Sequence, residues 1–106
     1  MTQEDNFKNL CNLTTSLLGL RKGSLSYKSR VQELQVARSI ASVIARIEYE
    51  IPHSTIAKVI GRDRTLIYHY EKRHKHNYAT FPKYNQLENV KLALKNFKYD
   101  IEIITL

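Results

Sequence analysis

Apolar residues recur at helical spacing through most of the chain. Phe7, Leu10, Cys11 and Leu17 or Leu18 form one such stripe, predicting a first helix over about Asp5 to Leu18 that Gly19 stops. The segment Arg21 to Tyr27 has no stripe and is expected to be a loop. Leu34, Ala37, Ile40, Ala41, Ile44 and Ile47 mark a long second helix, and Ser29 with Gln32 three residues on has the form of a capping box at its start. Pro52 opens a short helix ending before Gly61, a fourth is predicted from about Asp63 to His76, and Pro82 introduces a last one from about Lys83 to Lys98. The tail Tyr99 to Leu106 fits helix or strand equally. The expected class is all-α, with a small helical domain over residues 1–82 and a C-terminal helix and tail over 83–106.

A chain of 106 residues, 42% hydrophobic, suits one modest core and leaves no room for a second, catalytic domain. No stretch approaches the roughly 18 apolar residues of a membrane span, and Met1 to Asn6 lacks the basic-then-apolar order of a signal peptide, so a cytoplasmic protein is expected. Cys11 is the single cysteine and is expected to be a reduced, buried hydrophobe.

Charge changes the picture more than length does. Arg21 to Lys75 holds 12 Lys or Arg and 5 Asp or Glu, so this middle segment carries the whole net charge of +7. A localised basic excess is the electrostatic footprint of nucleic-acid binding, although a cationic membrane surface or simple solubility also produces it. Within the segment, Pro52 to Tyr70 meets the needs of two helices crossing steeply: a small residue at the crossing (Ala57), a glycine in the turn (Gly61), and apolar contacts on both sides (Ile56, Ile60, Ile67). An ordinary helical hairpin would share these features. The residues just past the glycine favour a helix-turn-helix over about residues 52–76, because Arg62, Asp63, Arg64 and Thr65 crowd the front of the second helix. Arginine can read guanine bidentately, aspartate can accept from cytosine, and threonine offers a hydroxyl and a methyl. Asp63 also suits a helix cap. Tyr68, Lys72 and Lys75 continue the outer face, while Ile67, Tyr70 and His74 trace the inner one.

The runs Ala37-Arg38-Ser39-Ile40-Ala41, Ala45-Arg46, Ile56-Ala57 and Gly61-Arg62-Asp63-Arg64-Thr65, with Ile67 and His69 beyond, resemble the carboxy-terminal DNA-binding domain of the bacterial replication initiator DnaA. The resemblance covers about Leu10 to His76. Two positions depart from the family's Gly-Arg-Asp-His-Thr-Thr-Val signature, Arg64 for its histidine and Leu66 for its second threonine, so a different base preference is expected. The resemblance implies a Trp-repressor-like helix-turn-helix fold with double-stranded DNA as partner. It implies that Asp63, Arg64 and Thr65 meet base edges, to which the outer face adds Arg62 and Tyr68. It places Arg30 in the neighbouring minor groove, and Arg38, Arg46, His53 and Ser54 on phosphates, where Lys28 and Lys72 are expected as well. The family's initiators also carry an ATPase domain, but no GxxxxGK[ST] phosphate loop occurs in this sequence, so ATP hydrolysis is not expected of it. Replication control, transcription control and competition for initiator sites all remain open.

Three alternatives stand beside this. His53, His69, His74 and His76 all lie in or next to the basic segment, but they include no i,i+4 pair and no nearby cysteine, so neither a metal, a cofactor nor catalysis is expected. Leu87, Val90, Leu94, Phe97, Ile101 and Ile104 alternate spacings of three and four, the seam of a homodimer or protein-interaction module, or else a surface packed back on the domain. A transposase-type or other regulatory helix-turn-helix would share the turn but not the match from Ala37 to Arg46.

Overall fold

The long second helix is apolar or small on almost every side between Leu34 and Ala45, and only Gln35 in that stretch reaches solvent. A helix apolar all round must be enclosed by others, and this one is the axis of the fold. The computed structural model describes residues 2–105, and for 96–105 the backbone alone. It comprises α1 (Gln3–Leu18), a 3-10 turn (Ser24–Ser26), α2 (Gln32–Tyr49), α3 (His53–Ile60), α4 (Arg64–Lys72), α5 (His74–Thr80), a second 3-10 turn (Pro82–Asn85) and α6 (Gln86–Thr105). The chain is all-α: among the described residues there is no strand, and no helix is long and apolar enough to cross a membrane.

α1, α3, α4 and α6 all touch α2. Ile40, Ile44, Ile56, Ile60 and Ile67 meet Phe7, Leu10, Tyr84, Leu87 and Val90 in one buried cluster. Each large aliphatic group there contributes about 1.5–3 kcal/mol. Cys11 lies in the same cluster, and burial pushes its thiol up to about 12. At the other end of the expected seam, Leu87 and Val90 are core residues and Leu94 packs partly against them. The side chains of Phe97, Ile101 and Ile104 lie outside the described residues. The tail that fitted helix or strand continues α6 as helix to Thr105.

Several local expectations are corrected. α1 begins two residues early because Thr2 and Asp5 form the capping box there, the Thr2 hydroxyl accepting from the Asp5 amide at 3.1 Å. Ser29 and Gln32 form none: α2 starts at Gln32 behind Val31, and the Ser29 hydroxyl accepts from the Val31 amide instead. The stripe of α2 ends before Ile47, which is 58% exposed. The predicted fourth helix breaks at Arg73 (φ −93°, ψ 6°) into α4 and α5. No proline or glycine causes this break. Past it, Asn77 turns inward to donate to the Ser39 hydroxyl of α2 (3.2 Å), and His74 Nδ1 shares a hydrogen bond with the Tyr84 hydroxyl (2.6 Å).

Candidate nucleic-acid interface

The turn between α3 and α4 is built by residues that demand it. Gly61 sits at φ 66°, the left-handed region that glycine enters without strain, and the Arg62 amide reaches back to the Ala57 carbonyl at 2.9 Å to close α3. Asp63 then caps α4 by accepting from the Thr65 amide at 2.9 Å. Hydrogen bonds from the Thr65 amide and hydroxyl hold its carboxyl below the usual carboxylate range, so a fixed anion stands at the positive end of the helix. The cap that the sequence suits at Asp63 is formed, and it bonds Asp63 to Thr65, the two residues also expected at base edges.

On the far side of the turn, Ile67 is fully buried against α2. The opposite face presents Arg64, Thr65, Tyr68 and Lys72, all exposed. Three carboxylates are occupied elsewhere: Glu4 by Lys8 and Lys58, Glu48 by Lys91, and Glu71 by Arg46 and His53. Among the described residues, Arg64, Lys72, Arg73 and Lys75 on α4 and its continuation, and Lys28 and the Arg30 side chain on the preceding loop, make no ion pair with any carboxylate.

Four residues expected at DNA have other work. Arg38, assigned to phosphate, is 2% exposed; its Nε, Nη1 and Nη2 donate to the carbonyls of Leu25 (2.7 Å), Ser29 (2.9 Å) and Tyr27 (2.6 Å). Burial, and secondarily the charge of Arg62, lowers its pKa. Arg38 is the internal brace of the loop that carries Lys28 and Arg30. Arg62, assigned to bases, folds its Nη1 onto the carbonyls of Ile60 and Gly61 and reaches with Nη2 to the Tyr27 carbonyl at 2.6 Å. It ties the turn to that same loop. Arg46 and His53, both assigned to phosphate, converge on the Glu71 carboxylate, with Arg46 also donating to the Ile51 carbonyl at 3.0 Å. In the sequence Glu71 stands out only as one of few acids in the basic half. In the fold it knits the end of α2, the start of α3 and the end of α4. Tyr68 lies flat on the His53 ring, with centroids 3.9 Å apart and planes 16° from parallel. It therefore has one face covered and the other open. Ser54 is exposed at the start of α3.

The chain matches no protein-family model, no curated protein and no solved structure. What the geometry offers is a row of free donors on α4, one stacked aromatic ring, and a loop bearing two further cations. Between loop and helix runs a cleft of about 640 Å³ lined by Lys28, Arg30, Gln35, Arg38, Arg62, Leu66 and Tyr70, without a carboxylate. No group of three or more His, Cys, Asp or Glu that could hold a metal occurs among the described residues.

Proposed function

We propose that this chain is a sequence-specific binder of double-stranded DNA that lays the front of α4 in the major groove, as a helix-turn-helix does. The observation that carries the proposal is the exposed row Arg64, Thr65, Tyr68 and Lys72, which has no carboxylate partner and is tied through Arg62 to the loop of Lys28 and Arg30. Such a row has donors that reach base edges, and the nearby loop has cations that reach the adjacent backbone or minor groove. Arg64 and Thr65 take the base-reading role, Arg30 the minor groove, and Lys28, Ser54 and Lys72 the phosphates. Arg38, Arg46 and His53 brace these positions. The resemblance to the DnaA carboxy-terminal domain points the same way, toward control of replication or transcription in the cytoplasm.

Salt dependence tests the proposal directly. With cations at Lys28, Arg30, Arg64 and Lys72 meeting DNA, log affinity for duplex should fall against log salt with a slope of roughly −3 to −4. Binding that ignores salt, or no binding at low salt, overturns it.

A further inference from the structure

The cleft between the 27–31 loop and α4 contains an electrostatic arrangement that the fold alone leaves incomplete. Arg38 and Arg62 bring two guanidinium groups to one neutral acceptor, the Tyr27 carbonyl, and no carboxylate lines the cleft around them. A carbonyl dipole satisfies hydrogen bonds but does not neutralise two like charges. Arg62 uses Nη1 and Nη2 on backbone carbonyls and leaves Nε without a partner. In the same cleft Tyr70, half-buried on α4, makes no hydrogen bond through its hydroxyl, which lies within the influence of both guanidiniums. Burial pushes that phenol up, and the two arginines pull it partway back, so it stays a protonated donor at neutral pH. Lys28 adds an ammonium at the rim.

We propose that this cleft is a seat for one phosphate group, held by Arg62 Nε, the Tyr70 hydroxyl and Lys28. The three donors line one cleft from separate segments, the loop, the turn before α4 and α4 itself, an arrangement that suits a tetrahedral oxyanion better than a planar carboxylate. The phosphate comes from the DNA backbone beside α4, which rests on the duplex-binding proposal; a free phosphate compound is the other source of the same chemistry. Tyr70 is a residue that neither charge counting nor the family resemblance assigns to DNA.

The test has two arms. In the first, a duplex bound by the chain is rebuilt with a single neutral methylphosphonate walked through each backbone position, and affinities are compared for the wild type and Tyr70→Phe. Tyr70→Phe should melt like the wild type, since its hydroxyl has no partner in the free protein, yet bind normal duplex about tenfold more weakly. One methylphosphonate position should weaken the wild type similarly and add nothing further to Tyr70→Phe. In the second arm, inorganic phosphate is titrated into the free chain and the Arg62 Nε–H resonance is monitored by NMR. If no duplex binds, the DNA proposal has failed, and a shift of that resonance that Tyr70→Phe weakens still supports the seat, with a free phosphate compound as occupant. The seat is overturned if Tyr70→Phe loses nothing, or loses equally at every backbone position, and inorganic phosphate leaves Arg62 Nε–H unmoved.

Discussion

Arg38 and Arg62 share one acceptor: the Nη2 of each donates to the Tyr27 carbonyl oxygen at 2.6 Å. Arg38 comes from the middle of the buried α2, and Arg62 from the turn before α4. Through that one oxygen the rigid core, the turn and the loop of Lys28 and Arg30 are held in register. The spacing between the loop's cations and the front of α4 is thus set by two arginines that the sequence alone would place on DNA.

Removing the buried brace should therefore destabilise the fold rather than only weaken binding. Arg38→Met leaves the carbonyls of Leu25 and Ser29 without their side-chain partner and should lower unfolding free energy by about 2–4 kcal/mol. Arg62→Met, at a half-exposed site, should lower it by about 1 kcal/mol or less. Urea unfolding of both variants checks the order. An Arg38→Met protein as stable as the wild type but poor at binding duplex would return Arg38 to the phosphate role.

Glu71 gives a second consequence. Its carboxylate holds Arg46 and His53 away from any phosphate while adding a negative charge near the proposed interface. Glu71→Gln should bind duplexes of every sequence a few-fold more tightly, with a salt slope steeper by about one, because a cation is released for backbone contact. Half-exposed ion pairs are worth little, so the stability loss should stay near about 1 kcal/mol or below. Fluorescence anisotropy at several salt concentrations checks this. Weaker binding with an unchanged slope would mean that Arg46 and His53 serve only to hold α3 in place.

His74 makes stability depend on pH. Burial beneath Tyr84 and Tyr78, with Lys91 adding a smaller effect, holds its imidazole below the ordinary 6.5, and Glu88 offsets part of this. Below pH 6.5 the unfolded chain takes up a proton that the folded chain resists, so stability is complete above that value and declines as pH falls. Urea midpoints measured at about pH 7 and about pH 5 should drop more for the wild type than for His74→Gln. Equal drops would remove His74 from the pH response.

The elements legible in the sequence and those hidden in it differ by a common physical cause. α1, α2 and α3 are legible because their apolar stripes and the stops at Gly19 and Gly61 are local signals. The front of α4 is legible for the same reason, since Gly61 and the Asp63 cap lie within a few residues of Arg64. Arg38, placed on phosphate by the family resemblance, is misplaced because what buries it is a 3-10 turn at Ser24–Ser26, 12 or more residues back along the chain, folding its carbonyls over α2. The break at Arg73 has no local signal in the sequence, and the contacts made just past it, with Ser39 and Tyr84, are to other elements. The Glu71 junction joins three helices whose relative placement no periodicity encodes.

The apolar spacing on α6 now has a definite expectation. Leu87 and Val90 are buried in this chain's own core and are not free to face a second copy. Leu87→Ala should cost about 2–4 kcal/mol, as truncation of a buried leucine does. That loss should not vary with protein concentration. A midpoint that rises with concentration in the wild type and loses this dependence in Leu87→Ala would mean that the segment joins two chains after all.

The sharpest test of base reading concerns Arg64. It stands at the first position of α4, exposed, with Asp63 held in the cap beside it and no hydrogen bond of its own, so its five donors are available to a partner. A bidentate contact from arginine to a guanine edge discriminates against other bases by about 1–3 kcal/mol. A phosphate contact by the same side chain would add affinity with no discrimination. Selection of bound fragments from a random duplex library, done in parallel for the wild type, Arg64→Ala and Lys72→Ala, separates the two. Arg64→Ala should flatten one column of the selected motif and leave the rest, whereas Lys72→Ala should keep the motif and weaken every site alike. Arg64→His should move that column toward the preference of the resembled family, incompletely, because Leu66 has no hydroxyl to offer where that family has threonine. If both alanine variants keep the full motif and lose affinity uniformly, Arg64 contributes charge only, and base reading passes to Thr65 and the open face of Tyr68.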